Sequence, residues 1–345
     1  MDTEDKKMPL LGMTLPQLES VAAECQLPRF AAKQIARRLY VNRAATIDEM
    51  TEISKVGRER LSANYEVGLS APKMETVSTD GTKKYLFEGV GNHDIEAVYI
   101  PDHDRATLCV SSQAGCKMGC KFCMTGRQGF HGDLSVNQII NQILSIPDSQ
   151  SLTNIVFMGM GEPMDNYDAV VGAIAILTEP WGMAWSPKRI TVSSIGKLDN
   201  LSRLAEETKV NIAISLHSPF PSEREELMPI ERAYPARKVI DLLSRYDFAH
   251  QRRLSVEYIM WDGLNDDDRH CDALARLLRT VDCRVNLIRF HAIPDSPLRT
   301  ASSERMTAFR DRLNRQGIIA TIRASRGEDI MAACGMLAGK KTDGK

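Results

Sequence analysis

Residues 105–126 read RATLCVSSQAGCKMGCKFCMTG, a stretch in which a short β-branched run comes directly before three closely spaced cysteines. Cys116, Cys120 and Cys123 follow the spacing C-x3-C-x2-C, with lysines between them. A strand that leads into a polar loop is typical of a βα unit, and in barrels built from such units the functional residues collect where the strands end. The stretch therefore predicts an α/β fold with a functional loop after the first strand of its sheet.

The rest of the chain repeats this unit. Short β-branched runs typical of strands alternate with longer amphipathic segments typical of helices. The predicted strands are ATLCVSS, NIVFMGM, RITVSS, VNIAISLH, LSVEYIM, RVNLIRFH and IIATIRA, and the helical segments between them include VNQIINQILS, YDAVVGAIAIL, ARKVIDLLSRY and HCDALARLLRTV. Because at least six units follow one another, we predict a partial (βα)6-type barrel rather than an open, doubly wound sheet.

Two regions of different periodicity precede the barrel. Residues 1–68 predict a small domain of three helices. Thr14 caps the first, the second follows Pro28, and the third covers residues 47–64. Residues 69–104 alternate in polarity and contain turn residues at Asp80-Gly81 and at 89–92, which predicts antiparallel hairpins. We predict that the barrel spans 105–325 and that 326–345 form a C-terminal segment.

Composition limits the class of protein. The chain has 345 residues, 43% of them hydrophobic, and a formal net charge of −1. We find no apolar run near the roughly 20 residues needed to span a bilayer and no signal-peptide core, so we expect a cytoplasmic protein without membrane contact. Eight cysteines are too sparse for a disulfide scaffold at this length, and clustered cytosolic cysteines more often bind metal or react.

A basic stretch near the N-terminus is a candidate RNA-binding surface. Arg29, Lys33 and Arg37 are spaced by four, which would stack them on one face of a helix, and Arg38 follows. We expect the apolar residues of this stretch to turn inward: Phe30, Ile35 and Leu39. A solvated helix face and a nucleic-acid contact explain these charges equally well.

Four kinds of site compete for the three cysteines: buried structural thiols, disulfides, zinc and an iron–sulfur cluster. Three thiols in a lysine-containing loop do not resemble a core. Zinc would need a fourth ligand, such as Cys109 or His131, and a zinc-stabilised RNA-binding module without catalysis remains the alternative of another class. A 4Fe-4S cluster explains the spacing best, because three thiolates leave its fourth iron open to a chelating molecule.

The cysteine spacing after the first barrel strand resembles the radical S-adenosylmethionine (SAM) superfamily, and GMGEP at 159–163 resembles its glycine-rich segment. In order, RATLCVSSQAGCKMGCKFCMTGRQGF, NIVFMGMGEPMDNYDAV, ITVSSIG, AISLHSP and RGEDIMAACG resemble the blocks of the bacterial RlmN and Cfr family. The resemblance covers most of the chain and implies an enzyme that methylates an adenosine of large-subunit ribosomal RNA.

The resemblance also implies residue roles. Carbon 2 of adenine is electron-poor and cannot attack the methyl group of SAM, so the family uses a cysteine as carrier. Cys334 matches this S-methylcysteine intermediate, and Cys109 matches the thiol that forms a disulfide with it to release the methylated RNA. Glu96 matches the proton acceptor. The implied cofactors are one 4Fe-4S cluster and two SAM molecules per turnover.

Further positions match the SAM contacts of the family: Gly161, Glu162, Ser193, Ser215, Leu216, His217 and Asn286. The chain departs from the family after Asn286, where Arg289 and His291 stand at places that more often hold proline and asparagine. We expect carbon-2 methylation of 23S ribosomal RNA, on a protein-poor or immature large subunit, and of an adenosine in the anticodon loop of transfer RNA. A Cfr-like carbon-8 enzyme is the near alternative. The resemblance further implies a monomer that receives electrons from flavodoxin or ferredoxin.

Overall fold

The computed structural model of the chain describes residues 7–250 and 252–339, which contain fourteen β-strands and eleven α-helices. These residues divide into two compact units by their contacts. The first unit comprises the described parts of 1–72, together with 134–151 and 168–186. The second comprises 73–133, 152–167 and the described residues from 187 onward.

Five elements of the first unit come from the N-terminal region: β1 (Met8–Pro9), α1 (Leu15–Glu24), α2 (Ala31–Tyr40), α3 (Lys55–Asn64) and β2 (Tyr65–Glu66). Thr14 caps α1 as predicted, in a capping box with Gln17. The predicted third helix was placed too early, because residues 47–49 form only a 3-10 turn and Ser54 caps α3 by accepting from Gly57 N. The paired strands β1 and β2 are too short to show a period in the sequence.

The basic stretch differs in part from its prediction. Ile35 and Leu39 are buried on α2 as expected. Phe30 was predicted to turn inward, but 63% of it is exposed, because it lies before the first residue of the helix. Arg29 also precedes α2, so the helical spacing holds only for Lys33 and Arg37.

The remaining elements follow in chain order. The first group is β3 (Met74–Val77), β4 (Lys83–Val90), β5 (His93–Asp102), β6 (Arg105–Cys109), β7 (Gln113–Gly115), α4 (Met124–Arg127), β8 (Phe130–Asp133), α5 (Val136–Leu144), β9 (Asn154–Phe157) and α6 (Tyr167–Thr178). The second group is β10 (Ile190–Ser194), α7 (Leu198–Glu207), β11 (Asn211–Ser215), α8 (Pro221–Leu227), α9 (Ala236–Leu243), β12 (Leu254–Met260), α10 (Asp268–Leu278), β13 (Arg284–Arg289), α11 (Ser303–Arg315) and β14 (Ile319–Ile322).

One ten-stranded sheet organises the second unit, in the order β14-β13-β12-β11-β10-β9-β6-β5-β4-β3. All seven predicted barrel strands are present and pair in parallel from β6 to β14. The hairpin strands β3, β4 and β5 are antiparallel and extend this sheet through β6. The parallel strands follow one another in chain order without the reversal of a doubly wound sheet, and β14 and β3 are its two edges, so the sheet has the order of a partial barrel, as predicted.

Alternation along the strands separates the core from the site. On β12, Val256, Tyr258 and Met260 pack in one apolar cluster with residues of α10 and α11. Glu257 and Ile259 lie on the opposite face of the same strand and line a cavity. The strand β12 therefore supplies one face to the helices α10 and α11 and the other to the cavity.

Candidate active site

The loop of the three cysteines is fixed by backbone contacts. Gly115 ends β7 with φ at +73°, and a Cβ there would lie 2.0 Å from the carbonyl oxygen of Gly129. The next residue, Cys116, donates its N–H to that same oxygen at 2.8 Å. Cys123 caps the short helix α4, and its N–H donates to the carbonyl of Cys120 at 3.2 Å. Glycine at 115 therefore permits the close approach that shapes the loop.

Cys116, Cys120 and Cys123 line one cavity of about 150 Å³. Burial raises the pKa of all three thiols, that of Cys116 to about 12. Within residues 7–250 and 252–339, no three metal-binding side chains are placed to hold a single metal ion. The thiolates of a cubane bind three different irons and need not converge on one point, so this donor set fits a 4Fe-4S cluster.

The glycine-rich segment after β9 lies against the same cavity. Gly161 has φ at +99°, and a Cβ there would lie 2.6 Å from Cβ of Gln113. The N–H of Glu162 donates to Oε1 of Gln113 at 2.8 Å. The Glu162 carboxylate accepts from the N–H groups of Met164 (3.1 Å) and Ile195 (3.0 Å), so it ties the ends of β9 and β10 together. Burial raises the pKa of Glu162 to about 7.

His217, after β11, contributes a neutral imidazole to this cavity. Its φ is +62°, and its Nδ1 accepts from the N–H of Ile259 at 3.1 Å. Burial, followed by the charge of Arg224, lowers the pKa of His217 to about 3. The neutral ring therefore carries its proton on Nε2, where it is a hydrogen-bond donor. Ser193 and Ser215 line the same cavity.

Two of the predicted SAM contacts lie elsewhere. Leu216 is fully buried in the apolar cluster of β12 and the helices, while its carbonyl accepts from Nε of Arg224 at 3.0 Å. Asn286 lines a separate cavity, and its Nδ2 donates to Oε1 of Glu257 at 2.8 Å. Glu257 lines both cavities, so it connects Asn286 to the residues around the cysteines.

A further cavity, of about 440 Å³, contains the other two predicted cysteines. Cys109 ends β6, opposite Val98 on β5 and Val156 on β9. Burial raises the pKa of Cys109 to about 12, whereas Cys334 is exposed. Cys334 lines both this cavity and the cavity of the three cysteines. All eight cysteines are free thiols, so Cys109 and Cys334 are not joined in this structure.

The walls of the 440 Å³ cavity are rich in basic side chains. They include the two departures from the family, Arg289 and His291. Arg289 donates to Oγ of Ser303 at 3.0 Å, and Nδ1 of the buried His291 lies 3.3 Å from Oε1 of Glu328. Three more arginines complete this wall: Arg105, Arg323 and Arg326.

Sequence analysis missed an ion pair inside the barrel. Arg323, just after β14, lies 3.6 Å from Oε2 of Glu257 and lines both cavities that Cys334 lines. A negative charge on the nearby Cys334 sulfur, and then that of Glu257, raise the pKa of Arg323 against the opposing effect of burial. A single carboxylate within the apolar run SVEYIM was the available signal, because a charge on a buried strand is rare unless it is paired.

Glu96 is buried on β5, but it does not line the cavity of Cys109 and Cys334. Its Oε1 lies 3.1 Å from Nζ of Lys84. Its Oε2 accepts from the N–H groups of Ala338 (2.9 Å) and Gly339 (3.3 Å). Both oxygens of the predicted proton acceptor are therefore bound by other groups in this structure.

The predicted RNA-binding residues belong to the first unit. The side chain of Arg29 is 89% exposed, and Lys33 and Arg37 are also exposed. Arg38 differs, because its Nε donates to Oε2 of Glu52 at 2.5 Å.

In the part of the chain that the structure describes, we find no helix with the length and apolar character of a membrane span.

The chain is similar to known proteins that use the chemistry for which this site is suited. Residues 110–274 match the radical SAM superfamily, and 8–67 match the N-terminal domain of ribosomal RNA large subunit methyltransferases. A probable dual-specificity RNA methyltransferase RlmN of Bacteroides fragilis is 58% identical over 337 residues, which are 98% of each chain. The dual-specificity RNA methyltransferase RlmN of Syntrophus aciditrophicus is 40% identical over 339 residues, covering 96% of this chain and 97% of the relative.

A solved structure extends this similarity to the fold. The crystal structure of a radical SAM methyltransferase from Sphaerobacter thermophilus matches with a TM-score of 0.89 and 40% identity, over 96% of this chain and 99% of the other. The predicted fold class and family are confirmed: the chain belongs to the RlmN family of radical SAM methyltransferases.

Proposed function

We propose that the chain methylates carbon 2 of an adenosine in 23S ribosomal RNA, and of an adenosine in the anticodon loop of transfer RNA, with Cys334 as the carrier of the methyl group. The proposal depends on one observation. Cys334 lines both the cavity of the three cluster cysteines and the cavity that contains Cys109. The Cys334 thiol is therefore accessible from the cofactor side and from the substrate side; Cys123 also lines both cavities, but we assign it to the cluster.

The cofactors would be held by residues of the smaller cavity. Cys116, Cys120 and Cys123 would ligate a 4Fe-4S cluster, and SAM would lie against Gly161 and the residues at the ends of the next two strands: Ser193, Ser215 and His217. When bound, the cluster and SAM supply the one-electron chemistry that removes a hydrogen atom from an unactivated methyl group. Two SAM molecules are used in each turnover, one as the methyl donor.

The thiols of Cys334 and Cys109 have different roles: the first carries the methyl group and the second releases the methylated RNA. Cys334 is exposed and takes the methyl group, since a thiolate is a competent nucleophile. Its sulfur then carries that carbon to the adenine. Cys109 is buried, and burial raises its pKa to about 12, so it keeps its proton until it is needed. As the sulfur of Cys109 bonds to the sulfur of Cys334, the carbon–sulfur bond to the RNA breaks. The carbon keeps the electron pair of that bond and takes up the proton that Cys109 gives up, which leaves a methyl group on the RNA and a disulfide between the two cysteines.

Glu96 accepts the proton that leaves carbon 2. It lies on β5 two residues before Val98, on the same face of the strand, and Val98 lines the substrate cavity opposite Cys109. This position supports the role although the carboxylate does not reach the cavity in this structure.

The size and charge of the substrate cavity support an RNA substrate. About 440 Å³ suffices for a single nucleotide, so the target base must leave its stack to enter. Arg105, Arg289 and Arg326 line this cavity and suit the flanking phosphates. An extruded base is available in protein-poor or immature subunits, which we propose as the ribosomal substrate. Arg29, Lys33 and Arg37 add a sequence-independent contact to the RNA backbone.

We also propose that the enzyme acts in the cytoplasm as a monomer and receives electrons from flavodoxin or ferredoxin. The test of the methylation itself is mass spectrometry of nuclease-digested ribosomal and transfer RNA after reaction with anaerobically prepared enzyme. We expect 2-methyladenosine from the wild type and none from Cys334→Ala. Cys109→Ala should accumulate a covalent protein–RNA adduct. A product that consists only of 8-methyladenosine would establish the Cfr-like alternative instead.

A further inference from the structure

The segment that carries Cys334 has neither helix nor strand between Arg326 and Gly339. It is held between two structures. On one side, the carbonyl of Gly335 accepts from Met124 N at 2.8 Å, next to the cysteine loop. On the other side, the hairpin strands β4 and β5 and the turn before them contact both ends of the segment.

The incoming end is held by the hairpin turn and by Lys84. Gly327 N donates to Oδ2 of Asp80 at 3.0 Å. Asp329 accepts from Oγ of Ser78 at 2.5 Å and from the N–H of Thr79 at 3.1 Å. Lys84, on β4, donates to the carbonyl of Met331 at 3.4 Å, three residues before the methyl-carrying cysteine.

The outgoing end is held by Glu96. This carboxylate accepts from Ala338 N and Gly339 N at 2.9 and 3.3 Å. Gly339 has φ at +59°, and a Cβ there would lie 2.2 Å from the carbonyl oxygen of Asp94, so the backbones touch. Lys84 and Glu96 pair with each other at 3.1 Å, with side chains only 17% and 7% exposed.

We propose that Lys84 is a positioning residue which, paired with Glu96, latches both ends of the Cys334 segment and keeps Glu96 occupied until the segment moves. This inference rests on the proposed methyl-carrier function. While the segment is docked, Lys84 binds Oε1 of Glu96 and two backbone N–H groups bind Oε2. Glu96 becomes free to accept the substrate proton only after residues 338–339 leave it, so movement of Cys334 and availability of the base are coupled.

The latch can be tested by hydrogen–deuterium exchange of backbone amides, measured by mass spectrometry on the cluster-loaded full-length protein. The method reports on it directly because two of its hydrogen bonds are donated by the backbone N–H groups of Ala338 and Gly339. Lys84→Met removes the cation and retains most of the side-chain volume. We expect at least tenfold faster exchange in a peptide covering residues 332–339, because that segment is tied down by few other bonds. Lys84→Arg should return exchange to within about twofold of the wild type.

The matched control is Lys83→Met. Lys83 is the neighbouring residue on β4, its side chain leaves the opposite face of the strand, and its Nζ lies 3.9 Å from Glu75. This variant should exchange like the wild type. Unchanged exchange in Lys84→Met, or equal acceleration in Lys83→Met, would overturn the latch.

A second measurement separates the latch from simple loss of structure. In single turnover with enzyme whose Cys334 is already methylated, Lys84→Met should transfer the carbon to RNA at least tenfold more slowly, because the loosened segment no longer positions Cys334 when Glu96 becomes free. RNA affinity should be unchanged, and Lys84→Arg should restore the rate. Transfer at the wild-type rate would also overturn the proposal. If the wild type fails to methylate RNA while the exchange pattern is as expected, the proposed function fails and the latch stands.

Discussion

Glu162 and His217 line the same cavity, and their pKa values are shifted in opposite directions. This difference gives a direct test of the site. Burial raises the pKa of Glu162 to about 7 and lowers that of His217 to about 3. Near pH 5.5 the folded protein therefore holds a proton on the carboxyl and none on the imidazole, while the unfolded chain holds the reverse. Unfolding transfers a proton from one residue type to the other and takes up almost none.

The magnitudes follow from linkage. A raised carboxyl pKa contributes stability that is present at low pH and is lost as pH rises through about 7. A lowered imidazole pKa contributes stability that is present above about pH 6.5 and is lost as pH falls. From pH 6.5 to 5.0, Glu162 adds roughly 1.5–2 kcal/mol and His217 removes about the same amount, so the two contributions cancel.

Single variants separate the two pH dependences of the unfolding free energy, which cancel in the wild type. Glu162→Gln and His217→Asn remove the titrations, and asparagine tolerates the positive φ at 217. We expect the unfolding free energy of Glu162→Gln, relative to wild type, to fall by roughly 1.5–2 kcal/mol from pH 6.5 to 5.0. That of His217→Asn should rise by as much. The assay is urea unfolding of reduced, cluster-free protein, followed by circular dichroism.

Only the pH dependence of each difference matters, so a constant loss of stability in either variant leaves the test intact. Slopes of the same sign in both variants, or a change below about 0.5 kcal/mol over this range, would refute the assignment of a neutral imidazole and a protonated carboxyl to the same cavity.

Three further predictions concern the cluster, the ion pair and the RNA. Cys120→Ser should abolish iron and sulfide binding, whereas Cys283→Ser should retain it. Reconstitution of the cluster should be more complete at pH 8.5 than at pH 6.5, because ligation must displace protons from thiols with raised pKa values. Arg323→Met should cost about 1–3 kcal/mol in urea unfolding, because Glu257 stays buried without its cation, whereas exposed Arg315→Met should cost almost nothing. Lys33→Ala with Arg37→Ala should weaken RNA binding equally across sequences and reduce the salt slope by about 2; an unchanged slope would assign these residues to a solvated face.

The barrel could be predicted from the sequence because its strands are short β-branched runs that repeat with a helix between each pair. All seven strands lie where the pattern put them. Errors arose where the local pattern is weak. The strands β1 and β2 have two residues each, and Phe30 belongs to a turn, where helical periodicity carries no information.

The site could be predicted residue by residue only where a motif marks it. The cysteine spacing predicted the loop that lines one cavity, but spacing alone did not indicate that Cys334 lines this cavity as well; that relation was implied only by the family resemblance. Family position predicted Asn286 as a SAM contact, and only the structure shows that its side chain bonds to Glu257 and lines a second cavity. Such relations depend on register between β12 and β13, which a single sequence does not reveal.

Cys109 and Cys334, the two thiols to which the proposed function assigns the methyl transfer, lie on different kinds of backbone, and this difference suits the two roles. Cys109 is fixed in the ladder between β5 and β9, so its sulfur cannot travel. Cys334 lies in a segment without regular structure, fixed by individual hydrogen bonds to the hairpin and the cysteine loop. Breaking a few such bonds costs far less than opening a sheet. Under the proposed function a methyl carrier moves between two cavities while a resolving thiol stays in one, so the irregular segment suits Cys334 and the sheet suits Cys109.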